Sequence, residues 1–168
     1  MVSNEAMVWH YTRLDFLEAI SESGELRPSN RHGMYTRPLL WFSAQQQWEH
    51  QATQLGDLSR LAGPSLKPSN TPWQRTATEL EAIRFGLSAS DPRLLNWRQT
   101  CTAGGLNREM RKQREKLAKA MKSEAGKWLT TIAPVPLSDL CYQVWYQGSW
   151  CDADEVIKFL EGVINGNT

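Results

Sequence analysis

Short apolar runs separated by polar turns recur along the chain and predict an alternation of strands and helices. The segments 7–11, 39–43 and 79–87 combine apolar and β-forming side chains over lengths typical of strands. After the first strand, leucine and isoleucine recur at helical spacing; Thr12 is predicted to cap the start of this helix and Gly24 to end it. The beginning of the chain therefore predicts strand, helix, turn and strand.

Capping residues and helix breakers predict the next helices. Ser43 is expected to cap a helix over residues 44–55. Asp91, followed by a proline, is expected to start a helix that reaches about residue 100. Two glycines break that pattern, and a basic amphipathic helix follows to about residue 123.

The end of the chain supplies further strands and a closing helix. Residues 128–135 favour a strand, and 140–146 with 149–151 favour a hairpin. Asp152 and Glu155 form a capping-box pattern that predicts the start of the last helix. Segregated helices and hairpin strands together predict the α+β class.

Length and loop structure define the domain organisation. A chain of 168 residues can bury the core of a single domain, so residues 1–168 are expected to form one domain. We expect a split, mostly antiparallel sheet flanked by helices. A glycine- and proline-rich segment at 56–72 predicts a long irregular loop, of a kind that is often a lid or disordered.

Charge is balanced over the whole chain but not along it. The 19 lysines and arginines and the 18 acidic residues leave a net charge of +1, which points to neither nucleic acid nor membrane. Residues 107–128 contain eight cations and three glutamates, a local charge of +5. This basic helix is a candidate nucleic-acid surface, although its glutamates at helical spacing favour a solvated helix with internal ion pairs.

The cysteine and histidine patterns argue against disulfides and metal sites, and the apolar pattern argues against a membrane protein. The three cysteines are widely spaced and lie outside any C-x-x-C, which favours neither disulfides nor zinc. His32 and His50 lack partners at ligand spacing, so no metal is predicted. No leader pattern and no membrane-length apolar run occur, so we expect a cytoplasmic protein without membrane contact.

The chain is rich in tryptophan, with eight residues. An indole is usually half-buried with its N–H bonded. The tryptophans therefore either line a cleft or form a tryptophan-rich core.

A few side chains are suited to a flat, polar ligand. His10 lies where a strand gives way to a helix, and it can bond a ribose hydroxyl, as can Thr12; the alternative is a core histidine beside a capping threonine. Trp41 and Phe42 point to opposite faces of their strand, so only one can stack on a ligand ring. Arg84 suits phosphate oxygens, or else a structural ion pair.

The order of these residues resembles the ADP-ribosyltransferase superfamily, in the branch that includes the poly(ADP-ribose) polymerases and diphtheria-type toxins. That branch has His-Gly-[Ser/Thr] on its first strand, then a helix, a Gly-Leu-x-Pro-like turn and a Tyr-Phe-[Ala/Ser] strand. Here His-Tyr-Thr at 10–12, Gly-Glu-Leu-Arg-Pro at 24–28 and Trp-Phe-Ser at 41–43 occur in that order. The similarity covers residues 8 to about 55.

The resemblance implies an ADP-ribosyltransferase-like fold and NAD as a substrate. By this similarity His10 holds the nicotinamide ribose, Thr12 supports it, and Trp41 takes the place of the stacking tyrosine. The other NAD-binding positions predicted with them are Tyr11, Ser43 and Arg84.

The sequence departs from the family pattern at two positions. Tyr11 replaces the glycine whose backbone binds the nicotinamide amide in the family. Gln143 stands where a catalytic glutamate is expected on a late strand; it can bond a ribose hydroxyl but cannot act as a carboxylate base. The nearby acids are Asp139, before that strand, and Glu155, in a capping position.

Three functional hypotheses follow. The first is an NAD-binding ADP-ribosyltransferase that uses His10 and Gln143 and modifies a macromolecular acceptor, either protein or nucleic acid. The second is a non-catalytic binding or inhibitory protein of the same fold, for example a phage anti-defence effector. The third is a nucleic-acid-binding protein that uses the basic helix at 107–128.

Overall fold

A computed structural model describes residues 6–13, 16–30, 35–49, 82–146 and 149–155. Its strands are β1 (Met7–Arg13), β2 (Glu25–Leu26), β3 (Leu40–Ser43), β4 (Ala82–Ser88), β5 (Trp128–Thr131), β6 (Val135–Pro136), β7 (Cys141–Tyr146) and β8 (Ser149–Asp152). Six strands form one sheet in the order β5-β3-β1-β4-β7-β8, and β2 pairs with β6. All these pairings are antiparallel.

The described helices are α1 (Leu17–Ser23), α2 (Trp97–Ala103) and α3 (Arg108–Ala120). Gly24 ends α1 in the left-handed conformation, with φ of 69°. Asn96 starts α2 in a capping box with Gln99, and the Asn107 side chain accepts a backbone N–H at the start of α3. The α+β class with a mostly antiparallel sheet is confirmed.

Most predicted strands are confirmed. The strands expected at 7–11 and 39–43 correspond to β1 and β3, and the described part of 79–87 lies in β4. The hairpin is β7 and β8. The prediction of one strand at 128–135 is wrong, because β5 ends at Thr131 and Val135 pairs with Leu26 in the small sheet.

Two predicted helix starts are also wrong. Thr12 is not a cap, because β1 stays paired with β4 as far as Arg13, and α1 begins only at Leu17. Asp91 does not start α2; its carboxylate accepts the backbone N–H of Arg93 at 2.8 Å and closes a turn instead.

Residues 44–49 are not helical, contrary to the prediction of a helix over 44–55. Residues 50–55 and the predicted loop at 56–72 lie outside the described residues. The last helix is described only at its start, where Asp152 accepts the backbone N–H of Asp154 at 3.0 Å.

One face of the six-stranded sheet carries the aliphatic core. Paired residues of antiparallel strands share a face, so Val8, Phe42, Phe85 and Val144 lie together. Helix α1 and the β2–β6 pair cover this aliphatic face. Their covering residues are Leu17, Ile20, Leu26 and Val135.

The opposite face, here called the tryptophan face, carries every strand tryptophan of the sheet. These residues are Trp9, Trp41, Trp128, Trp145 and Trp150. Trp48 and Trp97, from connecting segments, pack against them. Two clusters result: Trp41, Trp97 and Trp128 at one end, and Trp48, Trp145 and Trp150 at the other.

Gly86 makes room for one of these indoles. A Cβ at this position would lie 2.6 Å from the Trp9 ring and 2.7 Å from Cys141 Sγ. We expect Gly86→Ala to lower the free energy of unfolding by about 2 kcal/mol, because the ring must move within a packed layer. Urea denaturation measures this loss; Gly126→Ala, where a Cβ meets nothing within 4 Å, is the matched control. Equal stability of the two variants would contradict the packing role.

Candidate functional site

Arg84 lies at the middle of the tryptophan face and is 6% exposed. Its Nε and Nη2 donate to Oε1 of Gln143 at 2.9 and 2.5 Å. Its Nη1 donates to the Gln46 carbonyl oxygen and, at 3.4 Å, to the Tyr11 hydroxyl. All these acceptors are neutral, so within the described part of the chain the guanidinium has no carboxylate partner.

Two indoles enclose this cation. The Arg84 Cζ lies 3.9 Å from the Trp9 ring centroid and 4.5 Å from that of Trp150. Such contacts stabilise a cation that is removed from water. Burial lowers the pKa of Arg84, and burial raises the pKa of Tyr11 to about 12, against the opposing effect of Arg84. Arg84 remains charged and Tyr11 neutral at physiological pH.

Residues 44–49, here called the strap, cross the tryptophan face and are held by its side chains. Tyr11 donates to the Gln45 carbonyl at 2.5 Å, and Trp150 Nε1 donates to the Gln47 carbonyl at 2.7 Å. Trp9 Nε1 donates to Gln46 Oε1 at 3.0 Å. The bonds from Tyr11, Arg84 and Trp150 take the backbone carbonyls of residues 45–47 that a helix would otherwise use, which explains why the strap is not helical.

Glu49 anchors the end of the strap and is a buried carboxylate that the sequence analysis missed. Its Oε2 accepts from Ser43 at 2.6 Å and its Oε1 accepts from the Ser123 hydroxyl. Ser123 in turn accepts from Trp128 Nε1 at 3.1 Å. Glu49 thus links the strap to the segment that follows α3. The polar run around it carries no sequence signal that distinguishes such a residue from one on an exposed helix.

His10 lies on the aliphatic face, because it pairs with Phe85. Its ring packs edge-on to Phe42 with centroids 6.0 Å apart. Its Nδ1 lies 2.8 Å from the Trp41 carbonyl oxygen, so Nδ1 carries the proton and donates it. Burial lowers the pKa of His10 despite this bond. The imidazole is therefore neutral at physiological pH.

The lowered pKa predicts acid sensitivity. The unfolded chain takes up the His10 proton near pH 6.5 and the folded chain only at lower pH. Stability should therefore be intact above pH 6.5 and fall below it by up to about 1.4 kcal/mol per pH unit. His10→Asn, whose amide can still donate to the Trp41 carbonyl, should flatten this slope in urea titrations at several pH values. An unchanged slope would assign the acid sensitivity to other groups.

The structure brings some predicted NAD-site residues together and separates others. Tyr11, Arg84 and Gln143 are paired across three strands and share the tryptophan face. Trp41 lies at the other end of that face, against Trp97 and Trp128. Ser43 and Trp41 share this face, as Trp9 pairs with Ser43.

The remaining two residues, His10 and Thr12, lie on the aliphatic face. The seven predicted residues therefore occupy both sides of the sheet and do not line one pocket. Gln143 is engaged by Arg84, and Tyr11 by the strap. The NAD site remains a prediction, and this geometry does not fit it as a single assembled cleft.

A second candidate site lies along α3. A cleft of about 510 Å³ lies between α3 and residues 124–126. Lys112, Lys116 and Lys119 line it, with the Trp97 indole. The three lysines are exposed and occupy positions i, i+4 and i+7, which share one side of a helix.

Within the described part of the chain, the glutamates of α3 form no ion pair with this row of lysines. Glu109 accepts from the Gln113 amide at 3.3 Å, and Glu115 accepts from Trp97 Nε1 at 2.8 Å. Within the described ranges, the one ion pair near the cleft joins Lys127 to Glu124 at 3.3 Å. The ion pairs predicted for this helix are therefore not found at Lys112, Lys116 and Lys119.

Comparisons with known proteins add no assignment to this mixed α+β domain. The chain matches no family model, no curated protein and no solved structure. Among the described residues no helix has the length and apolar character needed to cross a membrane. The same residues contain no group of three or more metal-ligating side chains.

Proposed function

We propose that this protein binds nucleic acid through the α3 surface. The proposal depends above all on the exposed row of Lys112, Lys116 and Lys119, whose ammonium groups have no carboxylate partner in the described part of the chain. Helical rise spreads the row over about 10 Å, so neighbouring lysines can contact successive phosphates of one backbone. Arg108, one turn before Lys112 and also exposed, extends it.

Electrostatics support a polyanionic partner. Residues 107–128 carry a local charge of +5, whereas the whole chain carries +1. The positive charge is thus concentrated on one helix and its flank, which attracts phosphates, whereas the remainder of the chain carries a net charge of −4. Lysine side chains at these positions would release counterions when they contact a phosphate backbone.

Salt dependence tests the proposal directly. Fluorescence anisotropy with a labelled oligonucleotide should give a log–log slope of affinity against salt of about −2 to −3, as expected for three or four contacts to a single strand. Binding that does not change with salt, or no binding at low salt, would overturn it. Heparin binding without oligonucleotide binding would also overturn it, since it would show attraction to polyanions in general.

A second candidate is NAD-dependent ADP-ribosyl transfer, and His10 favours it. The Trp41 carbonyl fixes the tautomer of this neutral imidazole and leaves Nε2 as a hydrogen-bond acceptor. The strand, helix, glycine turn and strand of residues 7–43 follow the order of the family it resembles. Both points are compatible with a ribose contact at His10.

Calorimetry with NAD and an assay for released nicotinamide test this second function. We expect binding that His10→Ala abolishes and that Arg84→Lys alters less, because the two residues lie on opposite faces. The absence of both NAD binding and nicotinamide release with the pure protein would exclude this function. A single stoichiometric protein partner, retained by His10→Ala, would support the non-catalytic alternative.

A further inference from the structure

We infer that the cleft beside α3 accepts an unpaired base, so that the ligand is single-stranded nucleic acid and prefers bases with an exocyclic amino group. This inference rests on the proposed nucleic-acid function and adds the class of ligand. The main observation in its support is that an indole and two carboxylates lie in the same cleft as the row of lysines.

The size of the cleft and its aromatic residue favour a base over a phosphate. A volume of about 510 Å³ falls within the range of about 300–1,000 Å³ that small organic ligands occupy. Trp97 is half-buried, and its bond to Glu115 at 2.8 Å together with its contact to Trp128 fixes the indole. A fixed indole is a surface on which a base can stack without paying much conformational entropy.

The acidic residues determine which part of a nucleotide can enter. Glu115 and Glu124 line the cleft and would repel a phosphate there. Glu115 Oε1 accepts from Trp97 and Glu124 Oε1 pairs with Lys127, so the Oε2 atoms of the two carboxylates are left to accept from a base, as glutamate does from the amino group of cytosine. Phosphates therefore belong on the outer row of lysines, and the amino-bearing bases cytosine, adenine and guanine belong in the cleft. Thymine and uracil offer no such amino group.

A duplex cannot use this arrangement. Its bases are stacked and paired, so reaching the indole would require a base to leave the stack at a cost of a few kilocalories. Single strands present their bases freely to aromatic side chains. The cleft therefore predicts a preference for single strands that the lysines alone would not give.

The test uses the full chain and three labelled probes of about twelve nucleotides: oligodeoxycytidylate, oligothymidylate and the duplex of the first with its complement. We expect the cytidine strand to bind about tenfold more tightly than the thymidine strand and than the duplex. Trp97→Leu should remove the advantage of the single strand, whereas Trp145→Leu, from the other tryptophan cluster, should keep it.

The outcomes separate the two proposals. Equal affinity for all three probes with a clear salt slope would overturn the base-binding inference and leave the proposed function standing. No binding of any probe would overturn both. The comparison of the probes on the unaltered protein does not depend on the folding of either tryptophan variant.

Discussion

Replacement of Arg84 by methionine is expected to lower the free energy of unfolding by about 3–5 kcal/mol. The substitution removes the charged donor shared by the part-buried Gln46 carbonyl and Gln143 side-chain oxygen, and each hydrogen bond to a charged group contributes about 1.5–3 kcal/mol. The Tyr11 hydroxyl loses a contact of 3.4 Å but keeps its bond to the Gln45 carbonyl. It also removes the contacts to the faces of Trp9 and Trp150. Chemical denaturation at neutral pH measures the loss.

Arg84→Lys distinguishes geometry from charge. Lysine keeps the cation but lacks the planar fork, so we expect an intermediate loss of about 2 kcal/mol. Arg98→Met, an exposed position on α2, is the matched control and should change stability by less than about 0.5 kcal/mol. If Arg84→Met proved as stable as the control, the buried guanidinium would not be holding the strap.

Reversal of two lysines on α3 is expected to weaken oligonucleotide binding by about a hundredfold at low salt. The double variant Lys112→Glu with Lys116→Glu removes two phosphate contacts and adds like-charge repulsion in their place. The salt dependence should also become shallower, by about 0.7 in the log–log slope for each lysine lost from a single-strand contact. Anisotropy titrations across several salt concentrations measure both quantities.

The matched control for this variant is Arg27→Glu with Arg37→Glu. These positions are exposed and lie outside α3, and the net charge changes by the same amount. We expect less than a threefold loss of affinity, because distant exposed charges are largely screened. Equal losses in both double variants would mean that net charge, and not the α3 surface, governs binding.

The strands were predictable because their apolar content and length are properties of short segments. β1, β3 and β4 each combine aromatic or β-branched side chains over four to seven residues. The helix predicted at 44–55 is not formed over residues 44–49. The prediction used only neighbouring residues, whereas the hydrogen bonds that hold the strap come from the distant strands β1, β4 and β8. No pattern within the strap reveals those partners.

The candidate site was predictable only in part, for a related reason. Tyr11, Arg84 and Gln143 were each singled out, and they do meet, but as a buried structural contact with the strap. Side-chain alternation along a strand puts His10 and Tyr11 on opposite faces. The register of β1 with β4 determines which β1 residue lies on the same face as Arg84. That register cannot be predicted from the pattern of either strand alone.

The grouping of tryptophans on one face has an optical consequence. Trp41, Trp97 and Trp128 lie with ring centroids 5.4–6.5 Å apart, close enough for excitation energy to pass between indoles before emission. A quencher that reaches only Trp97 at the edge of the cleft would then dim all three. Ligand binding in the cleft should therefore change the intrinsic tryptophan fluorescence of the unlabelled protein. The change in intensity should be larger than quenching of Trp97 alone would produce.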